Sequence, residues 1–102
     1  MVRKKNAKIE WTLLAKQDLK DVLEFYKKKS QQGYKLVKDA ILDAVIDASK
    51  SPEIFKADLL KKENDGTVRV FTVYNIRVAY QITEEGIQVL RLRHTSREPK
   101  KY

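Results

Sequence analysis

The chain has 102 residues, 42% hydrophobic and 35% charged, with a formal net charge of +8, one histidine and no cysteine. That is the length of one domain with a modest core, too apolar for a disordered chain, and expected to form a single unit over 1–102. The lack of cysteine excludes disulfides and thiolate metal sites, the short apolar runs exclude a membrane-spanning helix, and no apolar stretch follows the basic N-terminus as in a secretory signal, so a cytoplasmic protein is expected.

Lys8-Ile-Glu-Trp11 alternates polar and apolar residues and predicts a short strand. Thr12 has the chemistry of a helix N-cap, and Ala15, Leu19, Val22, Leu23 and Tyr26 form one apolar stripe of a helix over about 13–30. Gln32-Gly33 reads as its break. A second stripe, Val37, Ala40, Ile41, Ala44, Val45 and Ala48, predicts a helix over about 34–49 that Ser51-Pro52 ends. Two helices so closely joined should form an antiparallel hairpin.

The period then changes to two. Residues 68–74, 76–82 and 87–93 are rich in β-branched and aromatic residues and are separated by Asn75 and Glu85-Gly86, which is turn chemistry. A weaker strand is read at 56–62. The expected class is α+β: a helical hairpin packed on one face of a twisted, mainly antiparallel sheet of four or five strands, in the order β-α-α-β-β-β. Nothing obvious in the chain covers the other face. A basic arm (1–7) and a tail (95–102) flank the domain.

Charge is unevenly spread. Of 22 bases, four lie in residues 1–8 and five in 91–102; of 14 acids, only Glu98 lies in those segments, leaving 13 of each sign between them. An excess confined to the two ends suits a polyanionic partner. Neither a phosphate loop nor a dinucleotide fingerprint is present. Alternation places Arg77, and with it Arg91 and Arg93 if Leu90 and Leu92 face inward, on the uncovered face. His94 ends the last strand among arginines, which favour its neutral, basic form. Together with Arg97 and Tyr102 these groups would make one basic surface carrying an aromatic ring, which is what single-stranded RNA binding requires.

The order and spacing of Trp11-Thr12, the helical hairpin, Lys56-Ala-Asp-Leu-Leu-Lys61, Asn64-Asp-Gly66, Tyr74-Asn-Ile-Arg-Val-Ala-Tyr80 and Val89-Leu-Arg-Leu-Arg-His-Thr-Ser-Arg-Glu-Pro99 resemble the RelE/ParE superfamily of bacterial type II toxins. The resemblance implies a protein antitoxin as partner, wrapping this chain through an acidic helix or strand. It also implies a first strand lying beside the last, which would join the two basic ends. RelE-like and YoeB-like members are ribosome-dependent, metal-independent endoribonucleases (mRNA interferases) that need no cofactor. In that pattern Asp58, Arg77 and His94 match the catalytic carboxylate, the phosphate arginine and the general acid/base. Lys61, Arg91, Arg93, Arg97 and Tyr102 match substrate-binding positions on mRNA. Departures from the pattern are Val68 and Val70, where RelE carries lysines, and Thr95, where YoeB carries a tyrosine. The alternative implied by the same resemblance is a ParE-like inhibitor of DNA gyrase with no nuclease activity, for which His94 and Arg97 fit a strand-end His-x-x-Arg.

Overall fold

The computed structural model describes residues 7–95. Strand β1 (Lys8–Trp11) leads into helices α1 (Leu13–Lys29) and α2 (Gln31–Lys50), followed by β2 (Lys56–Ala57), β3 (Val68–Val73), β4 (Ile76–Ile82) and β5 (Gly86–His94). The five strands form one sheet in the order β1-β5-β4-β3-β2, antiparallel except for the β1–β5 pair.

Local chemistry explains the helix ends. The Thr12 hydroxyl accepts the Ala15 N–H at 3.0 Å, as an N-cap should. The expected break at Gln32-Gly33 is a single residue, Ser30. Its backbone N–H bonds back to Tyr26 and closes α1, while its hydroxyl accepts the Gly33 N–H and opens α2. Gly33 therefore lies in the first turn of α2, which begins three residues earlier than its apolar stripe suggests.

The hairpin stripes meet the sheet through Ala15, Val22, Val37, Ile41, Val45 and Ala48, all buried. Opposite them stand Phe71, Ile76, Val78, Tyr80, Ile87, Val89 and Leu92, flanked by Ile9 and Trp11 of β1. Ile76, Val78, Tyr80 and Ile82 alternate on this face, as period two requires. Tyr80 is wholly buried; its hydroxyl donates to the Pro52 carbonyl at 2.7 Å, and burial pushes its phenol up to about 12.

Two features of β5 escape simple alternation. Ala79 pairs with Arg91 but Tyr80 pairs with Val89, so Leu90 is the extra residue of a β-bulge. The core residues Val89 and Leu92 are accordingly three apart. Gly86 lies so close to β1 that a Cβ there would sit 2.0 Å from the Lys8 carbonyl oxygen, so only glycine admits this parallel pairing. That pairing places Lys8 beside Gly86, at the opposite end of β5 from Arg91 and Arg93, and so does not bring Lys8 to the C-terminal arginines. Residues 3–5 of the basic arm, and Arg97 and Tyr102 of the tail, lie outside the described residues.

The turn between β3 and β4 consists of two residues, Tyr74 and Asn75, both at positive φ (47° and 65°), a type I′ hairpin. This fixes the parity of Arg69: it pairs with Tyr80, and its guanidinium donates to the carbonyls of Gly66 and Phe55. No described helix is long and apolar enough to cross a membrane.

Candidate functional site

The sheet face away from the helices is less open than its sequence suggests. Val68, Val70 and Ala79 lie on it and are nearly fully buried. The segment after β2 closes over them. Asp58 bonds through its backbone N–H to Val68, and Asn64 ties the loop by donating to the carbonyls of Asp58 and Val68 while accepting from the Gly66 and Val68 N–H groups. The buried Asp58 carboxylate accepts from the Leu60 N–H and forms an ion pair with Arg77, whose side chain is 19% exposed. Arg77 is thus on the predicted face, but its charge is matched by a buried acid. Lys61 is half-buried in the same loop, its ammonium 3.2 Å from the Lys62 carbonyl.

Between this loop and β3 runs a groove of about 630 Å³, lined by Ile54, Phe55, Leu59, Leu60 and Phe71 among others. Leu59 and Ile54 are 84% and 57% exposed beside it.

His94 lies on the other side of the sheet. It pairs with Ile76, a core residue on the helix-facing side, whereas Arg77 is the next residue along β4 and points the opposite way. The imidazole stacks on Tyr26 (centroids 5.8 Å, 22° between planes) and meets Phe25 edge-on at 5.0 Å. Tyr26 in turn donates to the Tyr74 carbonyl, tying α1 to the β3–β4 turn. The expectation that His94 shares the uncovered face with Arg77 is therefore corrected. The hairpin supplies an aromatic box at the end of α1 that draws the strand-end ring inward.

Arg91 and Arg93 pair with Ala79 and Arg77 and so share the uncovered side as expected, but their charges are held differently. Arg93 pairs with Arg77 and is exposed. The Arg91 guanidinium is held by Asp18 of α1, with Nε–Oδ2 at 2.8 Å, and this bond raises its pKa above the usual guanidinium value. Asp18 was not among the candidates, although a signal for it exists. It stands three residues after Ala15 and four before Val22, on the buried stripe of α1, and an acid in such a position needs a cation or N–H partner.

Strand pairing thus brings Arg77, Arg93 and Asp58 together on one face and puts His94 on the other. General acid–base cleavage of a phosphodiester needs its acid, base and cations around a single phosphate, and the described residues do not assemble that set. Among them no group of three or more His, Asp or Glu side chains is arranged to hold a metal ion.

Residues 9–99 match the family model of the ParE toxin of type II toxin–antitoxin systems, parDE. The chain belongs to this ParE toxin family. As a toxin of such a system it has an antitoxin as its partner. Its fold is also similar to a solved chain of the chromosomal ParDE toxin–antitoxin system from P. aeruginosa, with a TM-score of 0.66 and 21% identity over 85% of this chain and 94% of that one. No curated protein matches the sequence. The hairpin-on-sheet fold of this ParE-family chain is the one its sequence predicts.

Proposed function

We propose that this ParE-family toxin arrests growth by binding DNA gyrase and not by cutting RNA. The observation that carries the reading is the division of the candidate acid–base groups between the two faces of the sheet, with Arg77 matched by buried Asp58 and His94 boxed by Phe25 and Tyr26. Family membership supports it, since ParE toxins are known as gyrase inhibitors. A protein-binding poison needs no convergent acid and base; it needs a stable surface, and exposed apolar side chains such as Leu59 and Ile54 beside Lys56 provide one.

The test pairs two assays on the purified chain. Inhibition of gyrase supercoiling, with mRNA left intact in a ribosome mixture by primer extension, supports the proposal. Cleaved mRNA with unaffected supercoiling overturns it and favours the ribosome-dependent endoribonuclease, with Asp58, Arg77 and His94 as its catalytic groups. In either case, expression alone should halt growth and co-expression of the antitoxin should restore it.

A further inference from the structure

Between its basic ends the chain holds as many acids as bases, but they are not mixed. Residues 25–38, which cross from α1 into α2, carry five lysines (Lys27, Lys28, Lys29, Lys35 and Lys38) and no acid. Residues 39–49 carry Asp39, Asp43 and Asp47 and no base. Helix electrostatics explains only part of this. Lys27, Lys28 and Lys29 lie in the last turn of α1, where cations complement the negative end of the macrodipole. In α2 the order is reversed: its first turn holds no acid, its first two charges are lysines, and its three acids follow them toward the C-terminal end, before Lys50. The macrodipole favours the opposite arrangement, so the lysines early in α2 are not placed to stabilise their helix.

The five lysines converge at the apex of the hairpin. At a helical rise of 1.5 Å per residue, all of them lie within about 12 Å of Ser30 along the helix axes. Lys27, Lys28, Lys29 and Lys35 are exposed, and none of the five forms an ion pair with a described residue. Lys29 instead stands over the Phe25 ring at 4.5 Å and Lys38 over the Tyr34 ring at 5.8 Å, contacts that orient an ammonium without cancelling its charge. The apex is fastened to the sheet, since the Tyr26 hydroxyl donates to the Tyr74 carbonyl at 3.1 Å. Like charges gathered on a fixed surface repel one another, and a polyanion relieves that repulsion.

We propose that the hairpin apex is a docking surface for the phosphate backbone of duplex DNA. The inference deepens the gyrase reading and rests on it for the choice of polymer: gyrase works on double-stranded DNA, so a chain bound to it meets a duplex. Lysine ammonium groups contact phosphates and carry no base readout, so the binding is independent of sequence. Asp39, Asp43 and Asp47 set negative charge farther along α2 and confine the contact to the apex.

The probe is a short fluorescent DNA duplex of mixed sequence, titrated with the full chain and followed by anisotropy over a range of salt concentrations. The wild-type chain is expected to bind it, with affinity falling steeply as salt rises. Lys27→Gln, Lys28→Gln and Lys35→Gln combined remove three exposed charges that make no ring contact, and should reduce the slope of log affinity against log salt by about three. Lys16→Gln with Lys50→Gln, at the far end of the hairpin, should leave the slope unchanged. Circular dichroism checks the fold; if the triple variant does not fold, the three single variants replace it, each expected to lose about one from the slope. A slope that the apex variants leave unchanged overturns the proposal and assigns binding to the basic ends of the chain. An equal loss in the Lys16 and Lys50 variant overturns it too. Tighter binding to single-stranded RNA of the same length than to the duplex overturns it in favour of an RNA partner. Wild-type inhibition of supercoiling, together with duplex binding that ignores the apex variants, removes this inference alone. Absence of that inhibition removes the gyrase reading, while the duplex titration still decides the apex.

Discussion

The two faces of the sheet are held by different physics. The helix-covered face is mainly hydrocarbon, with Ile41, Val78, Val89 and Tyr80 at or near zero exposure, the Tyr80 hydroxyl as a satisfied polar group and His94 boxed by aromatic rings at its end. The other face is closed by a short loop fastened with one buried ion pair, Asp58–Arg77, and the hydrogen bonds of Asn64. Dispersion and water exclusion are spread over many contacts and yield gradually. A buried charge pair either keeps both members or leaves one stranded in low dielectric. The difference teaches that a charged residue on a nominally open face can be part of the structure before it is part of a site.

The comparison breaks most sharply at Asp58. Asp58→Ala leaves Arg77 without its acid and should cost about 3–5 kcal/mol, measured by urea denaturation. Replacing both partners with apolar residues, Asp58→Leu with Arg77→Met, should recover most of that loss; a double variant as unstable as the single one would show that the loop depends on more than the pair. Next comes the hydrocarbon face, where Ile41→Ala should cost about 2–5 kcal/mol through lost transfer energy and the cavity left behind. Gly86→Ala should cost about 1–3 kcal/mol, because its methyl group collides with the Lys8 backbone and the β1 edge must shift. Selective loss of amide protection in residues 8–11 would locate the damage.

The smallest effect sharpens the contrast by pH. Burial raises the Tyr80 phenol from 10 to about 12, so the neutral form is favoured in the folded chain. Its contribution is fully present below pH 10. Above that, the unfolded chain gives up the proton while the folded chain keeps it until about pH 12, so stability falls across this window. Tyr80→Phe should cost about 1 kcal/mol at neutral pH through the lost bond to Pro52 and should flatten the alkaline decline relative to wild type. An unchanged slope would show that Tyr80 plays no part in it.

Much of the architecture was legible from residues alone. β1 and β4 fall at their predicted bounds, and α1 and β3 within a residue, because an apolar stripe at helical spacing or a strict alternation states both the element and the face it buries. The expected weak strand over 56–62 shrinks to Lys56–Ala57, since Asp58 turns the chain inward to meet Arg77. The start of α2 was hidden because one serine, without glycine or proline, both ends and begins a helix.

The candidate site was legible only as an inventory. Sequence supplied the residue types: a histidine at a strand end, arginines at alternating positions, and an acid in a loop. It could not supply the bulge at Leu90, which shifts the alternation of β5, nor the register that sets His94 against Ile76 and Arg93 against Arg77. It could not pair Asp18 with Arg91 across 73 positions, or bury Asp58 against Arg77. Periodicity is a local property, written in the order of side chains, and so the chain by itself determined that there are two helices and a following set of strands, and which apolar stripes the hairpin and β4 bury against each other. Which charges neutralise one another depends on contacts between distant segments, and for this protein the tertiary structure alone decided that His94 and Arg77 stand on opposite sides of the sheet.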